Sequence, residues 1–347
     1  MKSAAVCTGP PQSHARGAGS WSQHRSSRQT LGNLLSRSIL MHDTACVRPF
    51  TWQVLSILTL GFGGISALYA GDTSVWYNAI PKAAHERPDA RIVIIDIESG
   101  RIIAAHHLAD AGRTLSAPGS SIKPLVLFTL LRSGRWNPER RIACDRRLIV
   151  AGHRLACTHP AAPPFDAREA LAWSCNSYFA AVARTLQPGE LGQLLKPTGL
   201  LAVTGLSPRE AVAEFRGPET EADEEQAVLG TAGIRITPLE LAVAYRWLAM
   251  QLESDPHSIA AQVVSAGLGD STSFGMADQA GAGGVPVIGK TGTAEGTKTS
   301  RTHGWFAGIA PAAKPQIVIV VYLPAGRGED AAHLAGGIIS RALLEKP

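Results

Sequence analysis

The strand-like runs of this chain are gathered at the two ends of one long stretch, and that distribution constrains the fold more than any other feature. RIVIIDIESGRIIAAHHL, residues 91–108, reads as two β-branched strands joined at Glu98-Ser-Gly100, a hairpin. Far downstream, VPVIGKTGTAE (285–295), HGWFAGIAP (303–311) and PQIVIVVYLPA (315–325) read as three more strands, and HLAGGIISRALL (333–344) as a closing helix. Between the two groups the pattern is mostly helical. Neither group buries its apolar faces alone, so both belong in one antiparallel sheet covered by helices. The predicted class is α+β: an antiparallel sheet flanked by helices, with an all-helical insertion between its strands.

Local signals place several helices in that insertion. One runs from Ser120 to Arg132 behind Pro118-Gly119, and Pro124 is tolerable there only because it falls near the helix start. Asp166 with Glu169 three residues on makes a capping box for a second helix, which ends close to Ser174 before Asn176 opens the next. Thr237-Pro238 has the form of a Thr-capped helix with Pro at its first position.

Charge excludes one class of partner. With 347 residues, 45% of them hydrophobic and 18% charged, the chain is long enough for a sizeable core. Its net charge of +5 is concentrated in residues 1–50, where Lys2, Arg16, Arg25, Arg28, Arg37 and Arg48 face only Asp43. The remainder is balanced and carries no basic stripe interleaved with aromatics, so nucleic acid is excluded as a partner. Residues 1–49 read as a disordered basic segment. Phe50 to Ala70 (FTWQVLSILTLGFGGISALYA) holds no charge and has the length of a membrane-spanning helix with arginines on its N-terminal side. It reads as a signal anchor, with a cleaved signal peptide and a buried core helix as the alternatives. Residues 71–90 read as a linker, and 91–347 as the main domain. An anchored chain would have that domain outside the cytoplasm.

Three short motifs carry the chemistry: Ser120-Ser-Ile-Lys123, Ser174-Cys-Asn176 and Lys290-Thr291-Gly292-Thr293. A serine hydroxyl is a poor nucleophile without a base beside it. Ser120 and Lys123, three apart, share a helix face, whereas Ser121 is out of phase, so Ser120 is the candidate nucleophile. Lys123 serves as base only if its amine is neutral, which requires burial and a neighbouring cation to lower its pKa; Lys290 is the candidate cation.

In this order and context the motifs resemble the penicillin-binding transpeptidase domain, with the serine β-lactamases as mechanistic relatives. The resemblance spans about residues 91–345. It implies a β-lactamase/transpeptidase-like fold on a bacterial membrane, with the domain on the periplasmic side. It implies acylation of Ser120 by D-Ala-D-Ala stem peptides of peptidoglycan, cross-linking, and covalent trapping by β-lactam antibiotics. In that reading Ser174 relays a proton and Asn176 holds Lys123 and the substrate backbone. Lys290, Thr291, Gly292 and Thr293 bind substrate along an edge strand, where Gly292 lets an extended peptide approach. The N–H groups of Ser120 and Thr293 form the oxyanion hole. No cofactor and no catalytic metal are required.

Rival functions are separable. A class A β-lactamase activates water with a Glu followed three residues later by Asn, and no asparagine follows Asn176. Class D expects an apolar residue in place of Asn176, and class C a tyrosine at the start of the second motif; neither fits. A D,D-carboxypeptidase, and a non-catalytic β-lactam sensor or scaffold, remain as alternatives. Of five cysteines, Cys144 and Cys157 form a disulfide, bind zinc with His153 and His159, or stay unpaired. Cys175 reads as a small buried filler. His303 reads as a strand residue near the cleft, His106 and His107 as a surface pair, and Glu219 to Glu225 as a solvated acidic loop.

Overall fold

The computed structural model describes residues 73–281, 283–295 and 301–345. In chain order, α1 (Ser74–Glu86) leads into the hairpin β1 (Arg91–Asp96) and β2 (Ile102–His106). The short α2 (Leu108–Ala111) and a 3-10 turn over Gly119–Ile122 precede α3 (Lys123–Arg132). A two-residue ribbon, β3 (Ile149–Val150) with β4 (His153–Arg154), is followed by α4 (Ala167–Ala172), α5 (Asn176–Ala183) and α6 (Glu190–Leu195). A second ribbon, β5 (Glu214–Phe215) with β6 (Ile234–Arg235), brackets α7 (Glu221–Leu229). Then come α8 (Pro238–Ser254), α9 (Ile259–Ser273), α10 (Asp278–Gly281), the strands β7 (Ile288–Glu295), β8 (Thr302–Ala310) and β9 (Ile317–Leu323), and α11 (Gly328–Leu344).

The distant strand groups pair as the sequence predicts. The main sheet has the order β2-β1-β9-β8-β7, and β1 meets β9 antiparallel with Val93 opposite Val320. β7, which carries the third motif, is an edge strand paired on one side only, with Lys290 opposite Ala307.

Strand periodicity distributes side chains to two cores. Val93, Ile95, Trp305, Val318, Val320 and Tyr322 point into a large core shared with α3, α4, α5, α8 and α9. Their neighbours Ile92, Ile94, Phe306, Ile317, Ile319 and Val321 face α1 and α11. A strand covered on both sides has no polar face, which is why IVIVVYL is buried throughout. Within the stretch read as a linker, Ser74 to Glu86 is helical and buries Trp76, Ala79, Ile80 and Ala83. That side chain spacing is an amphipathic stripe, and it closes the outer core.

The insertion starts its helices where local chemistry predicts. Asp166 accepts from the Glu169 N–H in a reciprocal capping box, and Thr237 does the same with Glu240. The acidic run differs from expectation. Thr220 and Asp223 cap it as α7, and two of its carboxylates, Glu224 and Glu225, are buried, the latter paired with Arg184 at 2.6 Å. Among the described residues no helix is long and apolar enough to cross a membrane. Residues 50–70, read as an anchor or signal, lie outside the described residues, as do residues 1–49.

Candidate active site

Ser120 lies in the 3-10 turn and Lys123 is the first residue of α3. In a 3-10 turn side chains three apart eclipse, so the turn aligns the serine and the lysine more closely than an α-helix would. Ser120 is half-buried at the cleft, whereas Ser121 is fully buried with its hydroxyl donating to the Pro118 carbonyl at 2.8 Å. Backbone contact fixes the turn. Gly119 has φ +54°, its N–H donates to the Gly230 carbonyl at 2.9 Å, and a Cβ on it would lie 2.7 Å from the Thr293 carbonyl oxygen. A Cβ on Gly292 would collide with the Pro118 carbonyl, and one on Gly230 with the Gly119 carbonyl. The missing side chain of Gly292 thus makes room for the Ser120 turn of this chain itself.

The second motif sits between α4 and α5, with Ser174 in the left-handed region at φ +55°. Such a conformation costs a non-glycine residue on the order of 1–3 kcal/mol and persists only where neighbours enforce it. Here Lys123 reaches across: its Nζ donates to the Asn176 Oδ1 at 2.7 Å and the Ser174 carbonyl at 3.0 Å, with the Ser174 Oγ at 3.5 Å. The Asn176 Nδ2 donates to the Leu155 carbonyl at 3.2 Å, which leaves Oδ1 as the face turned to the lysine. The Phe179 ring lies 5.0 Å from Nζ and adds a cation–π contact.

Burial lowers the Lys123 pKa from 10.5 to about 8, opposed by the negative potential of Cys157, Cys175 and Cys144. Lys290 is equally buried and is held well below its usual value, first by burial and then by the Lys123 charge. Burial is thus the first cause for both lysines, and the repulsion between the two charges is mutual. Among the described residues no carboxylate pairs with either lysine, and the Lys290 Nζ donates only to the Thr291 carbonyl, at 3.1 Å. Thr293 accepts from the Gly328 N–H at 2.9 Å, which ties β7 to the start of α11.

A cavity of about 240 Å³ joins the motifs: Ser120, Ser174, Asn176, Thr291 and Thr293 line it. Lys123 and Lys290 are buried beneath rather than exposed in it, and Gly292 is packed against the turn. Trp173, Met276, Arg327 and Glu329 also line the cavity, and no motif signalled them. A larger concavity of about 620 Å³ lies elsewhere, lined by Glu86, Arg87, Asp278, Glu329, Asp330 and His333. It contains no serine, cysteine or lysine, so we place the chemistry in the smaller one. His303 is a buried β8 residue whose Nε2 contacts the Ala117 carbonyl at 3.0 Å, holding the segment before the turn.

Cys144, Cys157 and Cys175 are free thiols, so of the three alternatives for Cys144 and Cys157 the disulfide is not formed. The zinc alternative is rearranged. His153 is exposed on β4, and Cys175, read as a filler, joins Cys144, Cys157 and His159 instead, with all four donor atoms within 4.8 Å of one another. The Cys157 thiol is pushed down, chiefly by its hydrogen bond with Cys175, and Cys175 is pushed up by the same contact and by burial.

Residues 91–345 match the family model of the penicillin binding protein transpeptidase domain, and the chain belongs to that family. Solved structures of similar fold include a peptidoglycan glycosyltransferase from Burkholderia ambifaria, at 19% identity and TM-score 0.66, covering 78% of this chain and 92% of that one. The TP domain of Burkholderia pseudomallei penicillin-binding protein 3 superposes with TM-score 0.67 at 20% identity over 78% of this chain and 93% of its own. PBP2 of Pseudomonas aeruginosa gives TM-score 0.66 at 20% identity over 78% and 76% respectively. At such identities the likeness is one of fold.

Proposed function

We propose that this protein is a serine D,D-transpeptidase acting on peptidoglycan stem peptides. The observation that carries the reading is the convergence of Ser120, Lys123, Ser174 and Asn176 with the β7 edge on one cavity. Lys123 takes the Ser120 proton as Oγ attacks the carbonyl carbon of the penultimate D-alanine. At pH 7 a lysine at 10.5 needs roughly 5 kcal/mol to lose its proton; at about 8 that falls to roughly 1.4 kcal/mol. The backbone N–H groups of Ser120 and Thr293 are the oxyanion donors, each typically worth ~3 kcal/mol. The C–N bond breaks, Ser174 relays the proton to the departing D-alanine, and an amine from a second stem peptide displaces Ser120 from the ester. The Thr293 hydroxyl, which lines the cavity, contacts the terminal carboxylate, and that carboxylate would supply a counter-ion for Lys290 buried beneath it. β-Lactams would be taken up by the same serine.

The test is labelling of the full chain with a fluorescent penicillin, beside Ser120→Ala. Label that persists for hours on wild type alone is the expected result, and cross-linked dimer from pentapeptide substrate would distinguish transferase from carboxypeptidase. Label lost within minutes as antibiotic is consumed would move the assignment to a β-lactamase. The absence of Ser120-dependent label would leave a folded but inactive relative with a scaffold role. Membrane anchoring through residues 50–70, with the domain outside the cytoplasm, is part of the same proposal. Protease accessibility of the domain on spheroplasts tests it.

A further inference from the structure

We propose that His303 and Trp305 are positioning residues for the acylation step: together they grip the Ala117 carbonyl and thereby set the Ser120 turn against Thr293. The consequence for catalysis rests on the acyl-transfer reading, whereas the grip itself is measurable without any substrate.

An oxyanion hole made by the N–H groups of Ser120 and Thr293 draws its two donors from separate parts of the chain, a 3-10 turn and an edge strand. The two must keep a fixed separation, because a misplacement of ~1 Å in an active site can cost about 100-fold in rate. The edge strand β7 is backed by β8, in a register that sets Gly292 opposite Trp305, Thr293 opposite Gly304 and Ala294 opposite His303. Alternate residues of a strand share a face, so His303 and Trp305 emerge together, on either side of the position that pairs with Thr293. Gly304 between them turns the other way, where a Cβ would strike the Arg327 carbonyl just before α11.

Both rings end on one atom. His303 Nε2 lies 3.0 Å and Trp305 Nε1 2.9 Å from the Ala117 carbonyl oxygen. A carbonyl only accepts, so His303 carries a proton on Nε2, and the two lone pairs of the oxygen each meet one donor. His303, Trp305 and Ala117 are all buried, and no solvent substitutes for either bond. The next residue is Pro118, which has no N–H, so the peptide joining Ala117 to Pro118 can be held by hydrogen bonds only through its oxygen.

The surrounding contacts turn this grip into a link between sheet and turn. Tyr322, opposite Trp305 on β9, lies against both rings, with centroids 5.7 Å from His303 and 4.4 Å from Trp305, and its hydroxyl is 2.8 Å from the Ser116 Oγ. On its other side the stretch is tied to β6 and the residue after it: Arg235 donates to the Leu115 carbonyl at 2.8 Å, and Ser116 pairs with Ile236. Gly292, the partner of Trp305, is where the Pro118 carbonyl approaches β7. One rung of β7 and β8 therefore touches both Ala117 and Pro118, and the turn cannot slide along Thr293 without breaking a contact to that rung. Neither His303 nor Trp305 lines the cavity, so both act through the turn and not on substrate.

The experiment uses the full chain. His303→Phe and Trp305→Phe each remove one donor and keep a ring, and His303→Gln restores a donor through its side-chain amide. Stopped-flow mixing with a fluorescent penicillin separates the reversible binding constant from the acylation rate constant. Loss of one neutral hydrogen bond corresponds to about 3–10-fold, so each Phe variant should acylate slower by that factor with reversible binding unchanged. The double variant leaves a buried carbonyl without a donor and should be slower by ~30–100-fold. His303→Gln should return to within about threefold of wild type. Hydrogen–deuterium exchange of the peptide spanning Gly119 to Ile122, read without ligand, should accelerate in both Phe variants and recover in His303→Gln.

Wild-type acylation in both Phe variants, a loss confined to reversible binding, or His303→Gln as slow as His303→Phe would each overturn the proposal. Should a Phe variant fail to fold, nitrogen NMR of the imidazole in the unsubstituted protein decides instead. His303 should be the Nε2–H tautomer with slow proton exchange, and the Nδ1–H tautomer would overturn the grip. A wild-type chain that takes up no penicillin would sink the transpeptidase reading. The grip would then be judged by exchange alone, and rates indifferent to the Phe substitutions would overturn it as well.

Discussion

The turn that carries Ser120 and the turn that carries Ser174 and Asn176 face each other across one cavity, yet they meet their neighbours differently. The first is set by close backbone approach, Gly119 on Gly230 and Thr293 and Gly292 on Pro118, with the Ser121 and Tyr245 hydroxyls bonding carbonyls of the turn. The second is fixed by side chains: the Lys123 ammonium, the Asn176 amide and the thiols behind it. Backbone contacts leave no room for adjustment, because interiors are close-packed and a peptide group has no rotamers. Side-chain contacts can be weakened by degrees. The difference suits the division of labour in an acyl transfer, where the nucleophile keeps one position through both half-reactions while protons move through the opposite turn.

The sharpest way to break this contrast is to add one methyl group to the first turn. Gly292→Ala drives a Cβ into the Pro118 carbonyl, and Gly119→Ala combines collision with Thr293 and a left-handed backbone at φ +54°. Each should destabilise the domain by roughly 1–3 kcal/mol, the range for overpacking a filled site, and should abolish penicillin labelling by displacing the oxyanion donors. Acylation kinetics and thermal unfolding on the same samples check it. Labelling within about threefold of wild type would show that the turn tolerates displacement, and the contrast would be lost.

The corresponding change on the second turn should be graded. Asn176→Ala removes the 2.7 Å acceptor from a buried ammonium. Hydrogen bonds to charged groups contribute about 1.5–3 kcal/mol, so acylation should fall ~10–100-fold with the fold retained. Stopped-flow acylation with circular dichroism as the folding control reads both. The pH profile sharpens the same point. If Lys123 acts as the base in its neutral form, as proposed, then below its pKa of about 8 the acylation rate should rise roughly tenfold per pH unit, and above it level off. A flat profile between pH 6 and 8 would mean that Lys123 is not the base.

What the sequence made legible follows the range of the interactions involved. The capping box at Asp166, the Thr237 cap and the strand runs depend on local residues, and the structure places them as read, with Ser120 at the cavity and Ser121 buried. The α1 helix was hidden because Pro81 interrupts it and only four residues form its stripe. The α9 helix is built largely of Ala, Gly, Ser and Val, with no strong periodicity to announce it. Non-local contacts were the least visible. Nothing in the chain says that Gly119, Gly230 and Gly292 meet, and Cys175 is brought to Cys144 only by tertiary packing. Likewise the two motif lysines suggested mutual repulsion, but that burial would be the larger cause for both depends on how the cleft floor closes over them.

The smallest expected effect lies behind the first turn, in the helix that caps it. Glu224 is buried on α7, whose terminal Gly230 carbonyl accepts from the Gly119 N–H, and its Oε1 has no hydrogen-bond partner. Burial raises its pKa from 4.5 to about 7. The folded chain therefore holds this proton across a range in which the unfolded chain has released it. By linkage, stability falls as pH rises from about 4.5 through about 7 and stays lowered above. Glu224→Gln removes the titration while keeping the shape. The variant should unfold a few degrees above wild type at pH 8 and at the same temperature as wild type at pH 4, measured by differential scanning calorimetry. Acylation by penicillin should be unchanged, because the backbone contact that positions Ser120 runs through Gly230 and not through the carboxylate. If the variant instead slows acylation at every pH, the Glu224 side chain also supports the first turn, and the contact through Gly230 does not by itself position Ser120.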